Sequence, residues 1–153
     1  MKKPLILTLS LVLIMLFLLS GVRVYGKDDK MIPKEPGVYI KYGKELKRLL
    51  PNIVFEQEQV IYIESNNPPR FLLKDIDYFV IAGQYDLSVL TLNPLLFFQP
   101  SPLGKHRYIF GKDIPFDMKK IKDNVYSIKP KGLIGRGYFS LWINDAAWDF
   151  IVE

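Results

Sequence analysis

Past its first 26 residues, the chain has no long stretch with the apolar spacing of an amphipathic helix. No segment repeats apolar residues at i, i+3, i+4 and i+7 over more than two turns. Short apolar or alternating segments recur instead about every ten residues, separated by Pro, Gly and Asn. The sequence therefore predicts an all-β fold, either an antiparallel β-sandwich or an open barrel.

The predicted strands are rich in β-branched and aromatic residues. Before the terminal pair they cover Val38–Tyr42, Gln59–Ile63, Phe71–Leu73, Tyr78–Ala82, Ser88–Leu92, Arg107–Phe110 and Val125–Lys129. Lys44–Leu50 is ambiguous, because its leucines also have helical spacing before Pro51 ends the segment. We interpret it as a return strand after the turn at Gly43-Lys44. The alternative is an α+β fold with one short helix there.

The last two strands can be placed in register from the sequence. Tyr138–Ile143 and Ala146–Val152 flank Asn144-Asp145, two residues that suit a tight turn. A two-residue loop pairs Ile143 with Ala146, Leu141 with Trp148 and Phe139 with Phe150. One face then carries Phe139, Leu141, Ile143, Trp148, Phe150 and Val152, and we expect it to form the core. The opposite face, which includes Ser140 and Asp149, is expected to lie away from the core.

Leu87 to Gly104 carries no charged side chain, but Pro94, Pro100 and Pro102 exclude a membrane helix. Inside it lies the apolar run Leu95, Leu96, Phe97 and Phe98. This run is either a buried strand or an exposed apolar lip. We favour the buried strand, since contiguous exposed apolar patches are uncommon on soluble domains.

The start of the chain has the pattern of an export signal. Lys2 and Lys3 precede the apolar run Leu5–Leu19. The uncharged span, residues 4–22, is close to the about 20 residues that a membrane span needs. Val24 and Gly26 suit the −3 and −1 positions of a cleavage site, so we expect residues 1–26 to be removed. An uncleaved membrane anchor is the alternative.

This leader fixes the expected organisation and location of the rest. Residues 27–34 are predicted to be a tether, and residues 35–153 a single β-rich domain. The protein is expected to be periplasmic or extracellular, or membrane-anchored by residues 4–22. The chain has no cysteine, which excludes disulfides, thiol catalysis and zinc–thiolate sites.

The charge balance gives no reason to expect nucleic-acid binding. The chain has 21 Lys and Arg against 16 Asp and Glu, a formal net charge of +5. Three of the basic residues, Lys2, Lys3 and Arg23, lie in the leader, which has no acidic residue. Removing the leader therefore leaves a net charge of +2, too small to predict a nucleic-acid partner.

Three polar features of the sequence are candidates for a catalytic, metal or anion-binding site. His106 is the only histidine, and no Gly-x-Ser-x-Gly motif supplies a nucleophile for it. Asp75 and Asp77 suit a calcium ion if the segment is extended, but the Gly and distal Glu of an EF-hand loop are missing. The lysines at 119, 120 and 122 are typical of a solvated face. We therefore predict no catalytic residues, metal or cofactor.

The aromatic residues suggest a second kind of binding. Tyr39, Tyr62, Tyr138 and Trp142 would form a platform for sugar rings if they share an exposed face, because flat π surfaces stack on apolar ring faces. Packing between two sheets explains the same residues equally well. Tyr138, Trp142 and the run Leu95–Phe98 are the candidate binding residues.

The C-terminal segment resembles a tail that recurs in uncharacterised bacterial exported β-domain proteins. The resemblance covers roughly 40 residues. It rests on Ile114-Pro115-Phe116, Val125-Tyr126, Ile128, Pro130, Leu133, Gly137-Tyr138, Leu141 and Trp148-Asp149-Phe150. It implies a β-rich exported domain and carries no catalytic residue to this chain.

Together these observations predict an exported, non-enzymatic β-domain with a binding or envelope-structural role. Its expected partner is a protein or glycan of the cell envelope, and its only membrane contact would be through an uncleaved N-terminal segment. The first alternative is a carbohydrate-binding module that uses the aromatic face. The second is a hydrolase with Asp or Glu catalysts, although no carboxylate pair stands out in the sequence.

Overall fold

The computed structural model describes residues 32–132 and 134–153. The predicted leader and residues 27–31 of the predicted tether lie outside them. The described residues form an all-β fold, as predicted, with two short 3₁₀ turns at Leu73–Asp75 and Leu87–Val89. The strands are β1 Gly37–Tyr42, β2 Glu45–Leu49, β3 Asn52–Gln57, β4 Val60–Ser65, β5 Arg70–Phe71, β6 Ile76–Ala82, β7 Thr91–Pro100, β8 His106–Phe110, β9 Phe116–Lys122, β10 Val125–Pro130, β11 Gly137–Ile143 and β12 Ala146–Val152. In this part of the chain, no helix is long and apolar enough to cross a membrane.

The strands divide into an open sheet and a closed barrel. The open sheet has the antiparallel order β2-β1-β6-β10-β9. The barrel runs β11-β7-β8-β4-β3-β12 and closes through the β11–β12 hairpin, with the two-residue strand β5 added parallel to β12. Closure pairs the edges that an open sheet would expose. The structure therefore combines the two predicted architectures, and its barrel is closed.

The main core lies between the open sheet and one side of the barrel. Phe139, Leu141, Trp148 and Phe150 of the terminal hairpin are all buried, as predicted. They pack on the inner face of the open sheet, and the rings of Phe79 and Phe150 lie 5.1 Å apart. The predicted register of the hairpin is confirmed, including the pairs Leu141–Trp148 and Phe139–Phe150. Asn144 adopts the positive φ that its tight turn requires.

The opposite face of the same hairpin points into the barrel. Ser140 is 0% exposed and Asp149 is 3% exposed, so the expectation that this face lies away from the core was wrong. Strands β3, β4, β7 and β8 cover it, and together they form a second core. Its apolar members are Val54, Ile63, Leu95, Tyr108, Phe110, Tyr138, Trp142 and Ala147.

Several boundaries differ from the sequence prediction. Glu45–Leu49 is a strand, so the short-helix alternative was wrong. Residues predicted to start a strand at Ser88 form a 3₁₀ turn instead, because the Asp86 side chain accepts a hydrogen bond from the backbone N–H of Ser88 at 3.1 Å. Phe71 ends β5, and Leu73 begins the other 3₁₀ turn. Strands β3 and β9 were not predicted from the sequence.

Candidate functional site: the outer face and the open end of the barrel

The side of the barrel turned away from the open sheet carries a row of apolar side chains. Strand pairing places Phe55 beside Tyr62, Tyr62 beside Ile109, and Ile109 beside Leu96, across four neighbouring strands. Phe55 stacks on Tyr62 at 5.5 Å between ring centroids. Phe55 and Leu96 at the two ends of the row are 39% and 52% exposed, whereas Tyr62 between them is 6% exposed, so the row is open to solvent at its ends.

A bulge in β7 adds Phe98 to this surface. Phe97 opposes Tyr108 and Gln99 opposes Arg107, so Phe98 is the extra residue between them. Its ring is 44% exposed and borders a shallow cavity of about 140 Å³, together with Val60 and Tyr62. We name this surface the outer face. It consists of Ile53, Phe55, Tyr62, Leu96, Phe98 and Ile109.

The charged groups beside the outer face neutralise each other. Arg107 lies over the Tyr62 ring, 4.8 Å from its centroid, and donates to Glu64 at 3.0 Å. Ser101 also donates to Glu64 at 3.0 Å. The hydrogen bond from Arg107 lowers the pKa of the Glu64 carboxyl more than its burial raises it. The pair is therefore ionised at neutral pH and leaves the outer face without net charge from these two residues.

The predicted run Leu95–Phe98 is a strand segment, as expected, but its four side chains lie in different environments. Leu95 is buried inside the barrel, whereas Leu96 and Phe98 belong to the outer face. Phe97 is 59% exposed and lies edge-on to His106, with 5.6 Å between ring centroids. The preference for a wholly buried strand was therefore wrong for three of the four residues.

The four residues of the predicted aromatic platform, Tyr39, Tyr62, Tyr138 and Trp142, lie in different places. Tyr62 belongs to the outer face and is only 6% exposed. Tyr138 and Trp142 both point into the barrel, where Tyr138 meets Tyr108 edge-on at 4.6 Å and Trp142 stacks on Phe110 at 4.4 Å. Tyr39 is buried in a small cluster of the open sheet. The rings therefore contribute to packing in separate cores and share no exposed flat surface.

A second candidate site lies at the open end of the barrel, near the end of β4 and the start of β5. This cavity, which we name the mouth pocket, has a volume of about 620 Å³. Its floor includes Asn52, Ser65 and Asp149. Its walls are Arg48, Leu50, Glu64, the loop 66–69, Arg70 and Lys105.

Asp149 is the centre of a buried hydrogen-bond network at this end of the barrel. Its carboxylate accepts from Asn52 at 2.5 Å, from Ser65 at 2.8 Å and from the Tyr138 hydroxyl. Burial, followed by the neighbouring Asp149 carboxylate, raises the pKa of Tyr138. Tyr138 therefore stays protonated and donates to Asp149. These contacts supply the hydrogen bonds that a buried carboxylate needs.

The remaining polar features of the sequence do not line either site. His106 is exposed at the start of β8, where it follows Lys105 and pairs with Ser65, both of the mouth pocket. Asp77 lies 3.4 Å from the Lys41 ammonium in the open sheet. Lys119, Lys120 and Lys122 are exposed on β9, an edge strand. Among the described residues, no group of three or more His, Asp or Glu side chains could hold a metal ion.

Two carboxylates line the mouth pocket, but their contacts suit binding better than hydrolysis. A general acid must be protonated near neutral pH, whereas Arg107 holds Glu64 in its ionised form. The Asp149 oxygens already accept three hydrogen bonds. Glu64 is therefore unsuited to be the general acid of a carboxylate-dependent hydrolase at neutral pH.

Sequence reasoning missed Asp149 and its partners, because alternation along β12 placed the carboxylate on a face expected to be solvated. The available signals were one acidic residue within an apolar terminal strand and the turn Asn66-Asn67-Pro68-Pro69. Only barrel closure brings these segments together. No protein-family model, curated protein or solved structure matches this chain.

Proposed function

We propose that the chain is an exported, non-enzymatic protein-interaction domain of the cell envelope. Its outer face docks a short apolar segment of another protein. The single observation that carries the proposal is the exposure of Ile53, Phe55, Leu96 and Phe98, at 67%, 39%, 52% and 44%, on one side of the barrel. Contiguous exposed apolar surface of this kind is characteristic of interaction sites.

The size of the outer face favours a short segment over a second copy of the chain. These four side chains together expose on the order of 400 Å². A stable dimer buries about 800 Å² on each partner, roughly twice as much. A strand or single helical turn of another protein matches the available area better.

The shallow cavity beside Phe98 provides a place for an anchoring side chain. Binding energy at interfaces concentrates in a few large residues that fill pockets and are ringed by contacts that exclude water. The cavity has apolar walls from Val60, Tyr62 and Phe98 and polar walls from Gln57, Glu58 and Gln99, while Arg107 is already paired with Glu64. The preferred anchor is therefore a partner side chain with an apolar body and a polar end.

Site-specific photo-cross-linking in the native host tests this proposal. A benzoyl-phenylalanine placed at Phe55 or Phe98 should give an adduct with the same protein, and Leu96→Ser should abolish it. Met118 on β9 is the matched control, since it is 47% exposed but belongs to the open sheet. A benzoyl-phenylalanine at that position should give no such adduct.

Two results would contradict the proposal. Equal adducts from Phe98 and Met118, or none from Phe98, would mean that the outer face is not a specific docking surface. An adduct with twice the mass of the chain would instead show a second copy as the occupant, and the assignment of a different protein partner would be wrong.

A further inference from the structure

We infer that the mouth pocket is a separate binding site for an acidic sugar, meaning a polyhydroxylated ring that carries a carboxylate or phosphate. Its volume of about 620 Å³ falls within the about 300–1,000 Å³ typical of small-molecule sites. It lies at the end of the barrel and shares no residue with the outer face. The inference is therefore independent of the proposed protein partner.

The floor of the mouth pocket is rigid and retains hydrogen-bonding capacity. Asn52, Ser65 and Tyr138 fix the Asp149 carboxylate in one orientation. A carboxylate has about four acceptor positions, and these three donors use three of them. One position is left to accept a hydrogen bond from a hydroxyl group of a ligand.

The loop beside the floor presents polar groups that have no partner in the fold. The side-chain amides of Asn66 and Asn67 line the pocket and make no hydrogen bond to another described residue. Pro69 holds this loop in place, because its carbonyl accepts from the backbone N–H of Ile151 at 2.8 Å. Each amide offers a donor and an acceptor, a combination that matches the neighbouring hydroxyls of a sugar ring.

The walls of the pocket carry the cations that an anionic group of a ligand would meet, whereas the Asp149 carboxylate lies at the floor. Arg48, Arg70 and Lys105 line the walls, and the charge of Lys105 also helps to lower the pKa of the Glu64 carboxyl. Arg48 and Arg70 each have one exposed carboxylate partner, at 3.0 and 2.5 Å. Glu64 on the same wall is neutralised by Arg107. Guanidinium and ammonium groups recognise carboxylate and phosphate alike, so both forms of acidic sugar fit.

NMR titration of the protein purified after export tests this inference. The ligands are glucuronate and glucose 6-phosphate, with glucose, acetate and inorganic phosphate as controls. We expect saturable shifts of the Ser65, Asn66 and Asn67 resonances with at least one acidic sugar, whose dissociation constant should be at least tenfold lower than that of glucose. The acidic sugar that binds more tightly identifies the charged group.

Matched variants separate the pocket from general surface charge. Lys105→Ala should weaken binding of the acidic sugar at least fivefold, whereas Lys119→Ala on β9 should leave it unchanged; both side chains are exposed. The absence of saturable shifts with either acidic sugar would overturn the inference. Equal shifts with acetate or inorganic phosphate would also overturn it, since the pocket would then bind small anions without recognising a sugar. Neither result bears on cross-linking at the outer face.

Discussion

At the scale of single residues, the buried carboxylate of Asp149 is the most constrained group in the barrel. It accepts hydrogen bonds from three side chains that belong to three different strands, β3, β4 and β11. Removing it would leave the buried Ser65 and the half-buried Asn52 and Tyr138 without this acceptor, and an unsatisfied donor costs up to about 1–3 kcal/mol where it is buried. The network therefore joins distant parts of the sequence, and its loss should destabilise the whole barrel.

Asp149→Ala should lower the free energy of unfolding by about 3 kcal/mol, because one buried and two half-buried donors lose their acceptor together. Urea unfolding of the exported protein measures the change. Asp145→Ala is the matched control in the exposed turn of the same hairpin, and it should change the free energy by less than about 0.5 kcal/mol. Similar small losses for both variants would show that Asp149 is not held by this network.

Glu64 should make stability depend on acid pH. Its folded-state pKa is lowered, first by the hydrogen bond from Arg107, so its contribution to stability is present above the unfolded-state pKa of about 4.3. That contribution is lost as the pH falls through the lower folded-state pKa. The free energy of unfolding of the wild type should exceed that of Glu64→Gln at pH 7, and the difference should shrink in strong acid. An equal difference at pH 7 and at pH 3 would contradict this assignment.

At the scale of elements, the terminal hairpin was the part of the fold most accessible to sequence reasoning. A two-residue turn fixes the pairing, and period-two alternation then fixes which residues share a face. Ser140 and Asp149 were wrongly predicted to lie away from the core, because only one face of the hairpin was expected to be buried. The strands that bury the second face come from distant positions, and no local pattern reveals that closure.

The other features that were not predicted from the sequence have similar physical reasons. Strand β9 carries three exposed lysines and lies at an edge, where charged side chains interrupt the alternation that identifies a strand. In β3, Ile53, Val54 and Phe55 form a short apolar run in which Val54 packs into the barrel and the other two are exposed. Such a run has no clear periodicity. The mouth pocket could not be predicted, because four separated segments build it.

Ser140→Leu tests whether the second face of the hairpin lies in a packed barrel. Ser140 is fully buried there, so a larger side chain should overpack the interior and cost about 1–3 kcal/mol. Phe150→Ala, in the core against the open sheet, should cost about 3–5 kcal/mol. Lys119→Leu, on an exposed edge strand, is the control for adding an apolar side chain and should have little effect.

Chemical denaturation of these three variants provides the comparison. A Ser140→Leu variant as stable as the wild type would mean that the barrel interior has room for a leucine. The closed packing derived from β11 and β12 would then be wrong.

At the scale of the whole molecule, the terminal hairpin links two cores. Its one face packs on the open sheet and its other face lines the barrel, so the hairpin is covered on both sides. The opposite side of the barrel has no covering layer among the described residues. The apolar outer face lies there, and its position therefore follows from how the two sheets pack.

Under the proposed function, cleavage of the predicted leader decides whether the outer face is free or tethered. We predict that residues 1–26 are removed on export, because Val24 and Gly26 follow an apolar run that is only marginally long for a membrane span. Intact-mass measurement of the exported protein should therefore show a chain that starts at Lys27. A mass that retains the leader, with the protein in the membrane fraction, would establish the anchored alternative.

The affinity of the protein for the partner cross-linked at Phe98 tests the central claim most directly. Leu96→Ser combined with Phe98→Ser should weaken binding at least tenfold and lower the free energy of unfolding by no more than about 2 kcal/mol, because both side chains are about half exposed. Met118→Ser, at an exposed apolar position of the open sheet, should leave the affinity unchanged. Equal affinities of the wild type and the double variant would contradict the assignment of the outer face as the docking surface.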